Sequence, residues 1–159
     1  MIDPCANPQL APGRSPGFTL VELLIVVVIL GILAAIAIPQ FNAATAESKE
    51  ANIMSNLATL RQAIEVYKLQ HDDTYPTVDI VAQLTETTDA SGSPGSTYGP
   101  YIRSDFPMNP LSNRNDIQVL NTMYFEAYGL QGWRYAQQTG ELRLNSPGVG
   151  PSGIEYYSL

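Results

Sequence analysis

The chain has 159 residues, enough for one domain plus an anchoring segment, and a formal net charge of −7. Charged residues make up 14% against 45% hydrophobic, and no Lys or Arg cluster interrupts the acidic balance, which argues against nucleic acid as the main partner. The single cysteine, Cys5, can close no intrachain disulfide, so cysteine usage does not indicate the compartment.

Residues 1–17, MIDPCANPQLAPGRSPG, hold four prolines, two glycines and one basic residue, Arg14, without apolar periodicity. They read as a tail or a removable leader. The composition then changes abruptly. Residues 18–38, FTLVELLIVVVILGILAAIAI, contain 15 Leu, Ile, Val or Phe among 21 residues and one charge, Glu22. As a helix rising 1.5 Å per residue, this segment spans about 31 Å, the thickness of a bilayer's hydrocarbon core. Its large apolar residues favour insertion by roughly 5 to 9 kcal/mol, against about 3 kcal/mol for one mid-bilayer charge. The segment is therefore expected to enter a membrane despite Glu22.

Gly31 and Pro39 are expected to bend or loosen this helix, because proline removes a backbone bond and crowds the preceding turn. Helical spacing nevertheless resumes. Ile53, Leu57, Leu60, Ile64 and Tyr67 form one apolar stripe on a segment otherwise rich in Glu, Lys, Asn, Gln and Arg. The spacing predicts one helix from Thr19 to Gln70, with residues 39–70 as its amphipathic continuation. His71, Asp72 and Asp73 at its end read as a solvated turn, since one His and two adjacent carboxylates do not converge on a metal.

Residues 71–117 form a Pro/Gly-rich αβ-loop in which Pro76, Pro94, Pro100, Pro107 and Pro110 forbid long elements. A short helix is expected at 78–85, with Val78, Val81 and Leu84 in line. Residues 118–159 switch to period two. Met123, Phe125 and Ala127 form one alternating set, Trp133 and Tyr135 a second, Leu142 and Leu144 a third. GWRYAQQTGELRLN reads as a hairpin turning on Thr139 and Gly140. Residues 146–153 are expected to be flexible and 154–157 to add an edge strand, while the nine tyrosines are expected to line the sheet and its rim. The fold class is α+β: a long N-terminal helix packed on a small antiparallel β-sheet. No Ser or Cys sits with a plausible base, so no enzyme is expected.

The string GFTLVELL opens an apolar helix with Gly17 before Phe18, Glu22 four residues later and Pro39 at the end of the run. It resembles the cleavage and methylation site of type IV prepilins and of pseudopilins. The resemblance implies that a prepilin peptidase cuts between Gly17 and Phe18 and N-methylates Phe18. It further implies that Glu22 serves filament assembly, where the cationic amine of a neighbouring Phe18 can neutralise it. Such a pair sets register more than it adds stability. The implied partners are copies of the chain in a helical filament, the peptidase, an inner-membrane assembly platform and minor pilins or pseudopilins. The implied location is a single-pass inner-membrane anchor with its head outside the cytoplasm, then a periplasmic or cell-surface filament.

Within the head, Tyr75-Pro76, Gly99-Pro100-Tyr101-Ile102, Pro107-Met108-Asn109-Pro110 and Gly132-Trp133 before a hairpin resemble the major pseudopilin of type II secretion. That family usually carries Asp-Pro-Trp-Gly near the second proline cluster and an acidic calcium loop near the C-terminus. Here Asn109-Pro110-Leu111-Ser112 stands in the first place, and the tail SPGVGPSGIEYYSL has one acidic residue, which argues against calcium; no other cofactor is expected. Three other readings stay open: an ordinary secretory signal ending at Ala35-Ile36-Ala37, a monomeric membrane-anchored binding module, and a minor pilin of a DNA-uptake or adhesion pilus.

Overall fold

The structure is a computed structural model that describes residues 17–77, 79–121 and 130–159. The chain divides into two compact units, one up to Gln40 and one from Phe41 to Leu159. Helix α1 (Leu20–Gln70, 51 residues) is continuous across that boundary, with Gly31 and Pro39 inside it. Pro39 therefore does not end the helix; having no amide hydrogen, it leaves the Ala35 carbonyl without its usual partner. In the first unit every large apolar side chain from Leu20 to Ile38 is exposed. In the second, the buried face of α1 is the predicted stripe of Ile53, Leu57, Leu60, Ile64 and Tyr67, joined by Ala63.

That stripe meets Ile80 and Leu84 of α2 (Ile80–Thr85), Ile102, Phe106, Trp133, Tyr135, Leu142, Leu144 and Tyr156 in one core. Each large member contributes roughly 1.5 to 3 kcal/mol of burial. The short helix begins later than its spacing predicts, and Val78 lies outside the described residues. Ile80 takes the inward position that was expected of Val81, which is exposed. Gln83 is turned inward as well, accepting from the Thr77 amide at 2.7 Å and donating to the Gly92 carbonyl at 3.0 Å.

Three strands, β1 (Ile117–Leu120), β2 (Trp133–Ala136) and β3 (Glu141–Leu144), form a sheet in that order. β2 and β3 are the expected antiparallel hairpin, with Trp133 opposite Leu144 and Tyr135 opposite Leu142. Gly140 turns it at φ 71°, and the Tyr75 ring occupies the place where a Cβ on Gly140 would stand. β1, however, pairs with β2 in parallel, Ile117 opposite Trp133 and Val119 opposite Tyr135. The sheet is thus mixed rather than wholly antiparallel. The 12 residues from 121 to 132 are long enough to bring the chain back to the same end, which a tight turn cannot do. The Met123, Phe125 and Ala127 alternation lies outside the described residues.

Two further expectations change. The tail is built rather than flexible: Val149 bridges Glu155, the Gly153 amide turns back on the Gly150 carbonyl, and Tyr156–Ser158 form a 3₁₀ turn in place of an edge strand. Tyr156 drives this, since its ring is buried in the core. Among the described residues only Tyr135 stands on a strand; Tyr67, Tyr75, Tyr98 and Tyr101 gather instead around the end of α1 and the loop that follows.

Candidate functional site

Phe18 is 78% exposed, and Gly17 to Thr19 lie outside the helix. Gly17 and Phe18 thus lie in exposed, non-helical backbone. A Cβ built on Gly17 meets nothing within 4 Å, so the fold itself makes no demand for glycine there. Gly31 is equally unconstrained within the chain.

Thr19 and Glu22 form a reciprocal cap on the first turn of α1. The Thr19 amide and hydroxyl both donate to Glu22 Oε2 at 2.8 Å, and the Glu22 amide donates to Thr19 Oγ1 at 3.2 Å. This is the Thr-x-x-Glu capping box, in which side chains satisfy the free donors of a helix start. It gives Glu22 an internal partner, which lowers the cost of carrying a carboxylate into an apolar surrounding. The sequence reading missed Thr19, although its spacing from Glu22 is the signal. What the arrangement can do chemically follows directly: α1 is long and apolar enough to cross a membrane, with no residue of its most apolar stretch buried within the chain. An apolar surface of this extent requires lipid or other helices to cover it.

The head motifs are structural joints. Trp133 Nε1 donates to the Pro107 carbonyl at 2.8 Å and the Tyr135 hydroxyl to the Pro76 carbonyl at 3.0 Å, and burial raises the Tyr135 phenol pKa. Asn109, fully buried, donates to the Gly132 carbonyl at 2.9 Å and to Ser146 Oγ at 3.0 Å, and accepts from the Leu111 amide at 2.9 Å. Asp116 is held down to about 2, first by the Arg114 guanidinium and also by the Gly132 amide. His71 corrects the expectation of a solvated turn: it is 3% exposed and stacks on Tyr67 at 3.8 Å. Its ring nitrogens face the Tyr67 carbonyl, Thr88 Oγ1 and the Asp89 carbonyl. Asp72 and Asp73, at φ 52° and 62°, turn the chain away from the helix and keep both side chains exposed, Asp73 in an ion pair with Lys68 Nζ at 3.3 Å. Among the described residues no three His, Cys, Asp or Glu converge as metal ligands.

Residues 13–38 match the family model for the prokaryotic N-terminal methylation motif. The chain is 32% identical to the type II secretion system core protein G of Klebsiella pneumoniae over 110 residues, covering 68% of this chain and 76% of that protein. It is 42% identical over 80 residues to the type IV narrow pilus major component of Thermus thermophilus, covering 50% and 68%. It is also 44% identical over 84 residues to a type IV major fimbrial protein of Dichelobacter nodosus, covering 51% and 50%. No solved structure matches the chain. A methylation motif on an apolar helix, together with an alignment at 32% identity that covers 76% of core protein G, places this chain in the family of type IV pilins and type II secretion pseudopilins.

Proposed function

We propose that this protein is the building unit of a pilus-like or pseudopilus filament, structural rather than catalytic. Prepilin peptidase removes residues 1–17 and methylates the amine of Phe18. The subunit waits in the inner membrane with its head outside, then leaves the bilayer as α1 packs against α1 of other copies. The observation that carries this reading is the apolar run from Leu23 to Ile38, every large side chain of it exposed on the single chain and the run opened by one capped acid. Lipid and neighbouring helices are the two media that can cover such a run, and one rod can use them in succession. In the fibre, the Phe18 amine of a neighbour joins Thr19 as a partner of Glu22 and fixes the stagger. The contact is heterologous and does not close, as an open filament requires. The platform and the minor subunits of a secretion or pilus system supply the remaining partners.

The longer alignment with core protein G, over 68% of this chain, favours a secretion pseudopilus, whereas the matches to the pilus component and the fimbrial protein each cover about half of it. The deciding measurement is mass spectrometry of the protein from cells that hold the export machinery. An N-methylated Phe18 terminus on sheared fibres is expected. A terminus at Ile38, or retained residues 1–17 with no fibres, overturns the reading.

A further inference from the structure

The stretch between Ser146 and Tyr156 presents little to the core. Pro147, Val149, Pro151 and Ile154 are exposed, and Gly150 is the one buried residue between Ser146 and Tyr156. Two glycines, Gly148 at φ 107° and Gly153 at φ 81°, give it a path that side chains resist. Such a segment needs an anchor, because it buries too little apolar surface to offset its ordering entropy.

The anchor is an acid on α1. Glu50 is 9% exposed, and its carboxylate accepts from the Ser152 amide at 3.1 Å and from the Ser152 hydroxyl. Gly150 lies directly against it: a Cβ there would stand 2.9 Å from Oε2 and 3.0 Å from Oε1. The loop therefore turns hydrogen-bond donors and a bare backbone toward a resident anion. Three of its carbonyls are engaged within the loop, those of Gly148, Gly150 and Ile154 accepting from the amides of Tyr156, Gly153 and Gly150. A calcium ion requires six to eight oxygens free to face it. This loop has one carboxylate of its own, Glu155, which is exposed, and three of its carbonyls are already taken. The residues do not fit the calcium loop that the resemblance to the major pseudopilin implies.

We infer that Glu50 fastens the C-terminal loop, so that the head orders this segment through an internal carboxylate and independently of a divalent cation. The clasp joins residues 102 positions apart and gives the loop its polar attachment to α1. Tyr156 in the core and Arg61, which donates to the Leu159 carbonyl, hold the segment beyond it.

The test uses the full chain in detergent micelles. Melting is followed by the fluorescence of Trp133, the sole tryptophan, and loop opening by limited proteolysis with mass-spectrometric mapping of cuts between 147 and 153. Wild-type protein is expected to melt and to be cut identically in EGTA and in excess calcium chloride. Glu50→Ala is expected to be cut roughly ten- to a hundredfold faster in either solution, the range for losing hydrogen bonds to a charged group. Glu50→Gln, which keeps an acceptor oxygen, falls between. Gly150→Ala displaces the carboxylate without removing its charge and speeds cleavage as well, so the test survives if Glu50→Ala does not fold. Calcium that raises the melting temperature or protects the loop of the wild type overturns the inference, as does unchanged cleavage in both Glu50→Ala and Gly150→Ala. Neither readout involves fibres, so failure here leaves the filament assignment standing.

Discussion

Replacing Asn109 by Ala tests whether the head is held by a polar joint rather than by apolar packing alone. The substitution removes three hydrogen bonds from a fully buried side chain. The Gly132 carbonyl keeps a second donor, the Asn145 amide at 3.2 Å, so it is not orphaned. Ser146 Oγ and the Leu111 amide each lose the bond that Asn109 gave them. Two stranded groups at about 1 to 3 kcal/mol each give roughly 2 to 6 kcal/mol of destabilisation. That is a large share of the 5 to 15 kcal/mol typical of a domain. At about 4 °C per kcal/mol for a head of this size, the melting temperature should fall by roughly 8 to 24 °C. Asn109→Asp sharpens the test, because a carboxylate oxygen in place of Nδ2 would face the Gly132 carbonyl at 2.9 Å. Its destabilisation should deepen as pH rises above about 4, where the new acid ionises, and relax below. The assay is thermal unfolding of the full chain, read at Trp133, whose indole is bonded to the adjoining Pro107 carbonyl. The exposed Asn115→Ala is the control, expected within about 0.5 kcal/mol of wild type. If Asn109→Ala melts with that control, the joint contributes nothing and the reasoning fails.

Three other outcomes follow from the same geometry. Glu22→Ala should leave the protein in the membrane fraction but reduce sheared fibres about tenfold or more, since losing about 1.4 kcal/mol per added subunit raises the critical concentration tenfold; normal fibre yield removes Glu22 from the mechanism. Thr19→Val keeps the side-chain shape and deletes the hydroxyl of the cap, so it should cost the helix start about 0.5 to 2 kcal/mol and lower fibre yield less than Glu22→Ala does; a yield equal to wild type in the same fractionation argues against the capping role. Asp116 has a depressed pKa of about 2, so its stabilising contribution is full above the ordinary carboxylate value near 3.9 and is lost as pH falls toward 2. NMR titration of its carboxyl should place the midpoint near the lower value in wild type and raise it toward, without reaching, the ordinary value in Arg114→Ala, where the Gly132 amide still donates, and a wild-type midpoint near 4 would refute the pairing.

The parts of this molecule that were legible beforehand are those set by near-neighbour spacing. An apolar run needs no partner to be recognised, and a lone acid within it stands out. The stripe from Ile53 to Tyr67 is buried as read, because positions three and four apart share a helix face whatever they pack against. The same holds for Leu142 and Leu144 on a strand. The reading faltered where burial was polar. His71 was assigned to water from its two acidic neighbours, yet the backbone reverses after it and carries those neighbours away while the ring stays inside.

By itself, then, the sequence determined a membrane-length rod with a Gly17–Phe18 junction and Glu22 at its head, an amphipathic continuation, and a hairpin closed by Gly140. Only the tertiary structure decided that β1 joins β2 in parallel, that Asn109 knots three segments of the head, and that Glu50 holds Ser152. The physical reason is distance along the chain. Helix and strand periodicity repeats within a few residues, whereas the partners of Asn109 and Glu50 lie up to 37 and 102 positions away, and a hydrogen bond leaves no trace in local pattern until folding brings its two ends together.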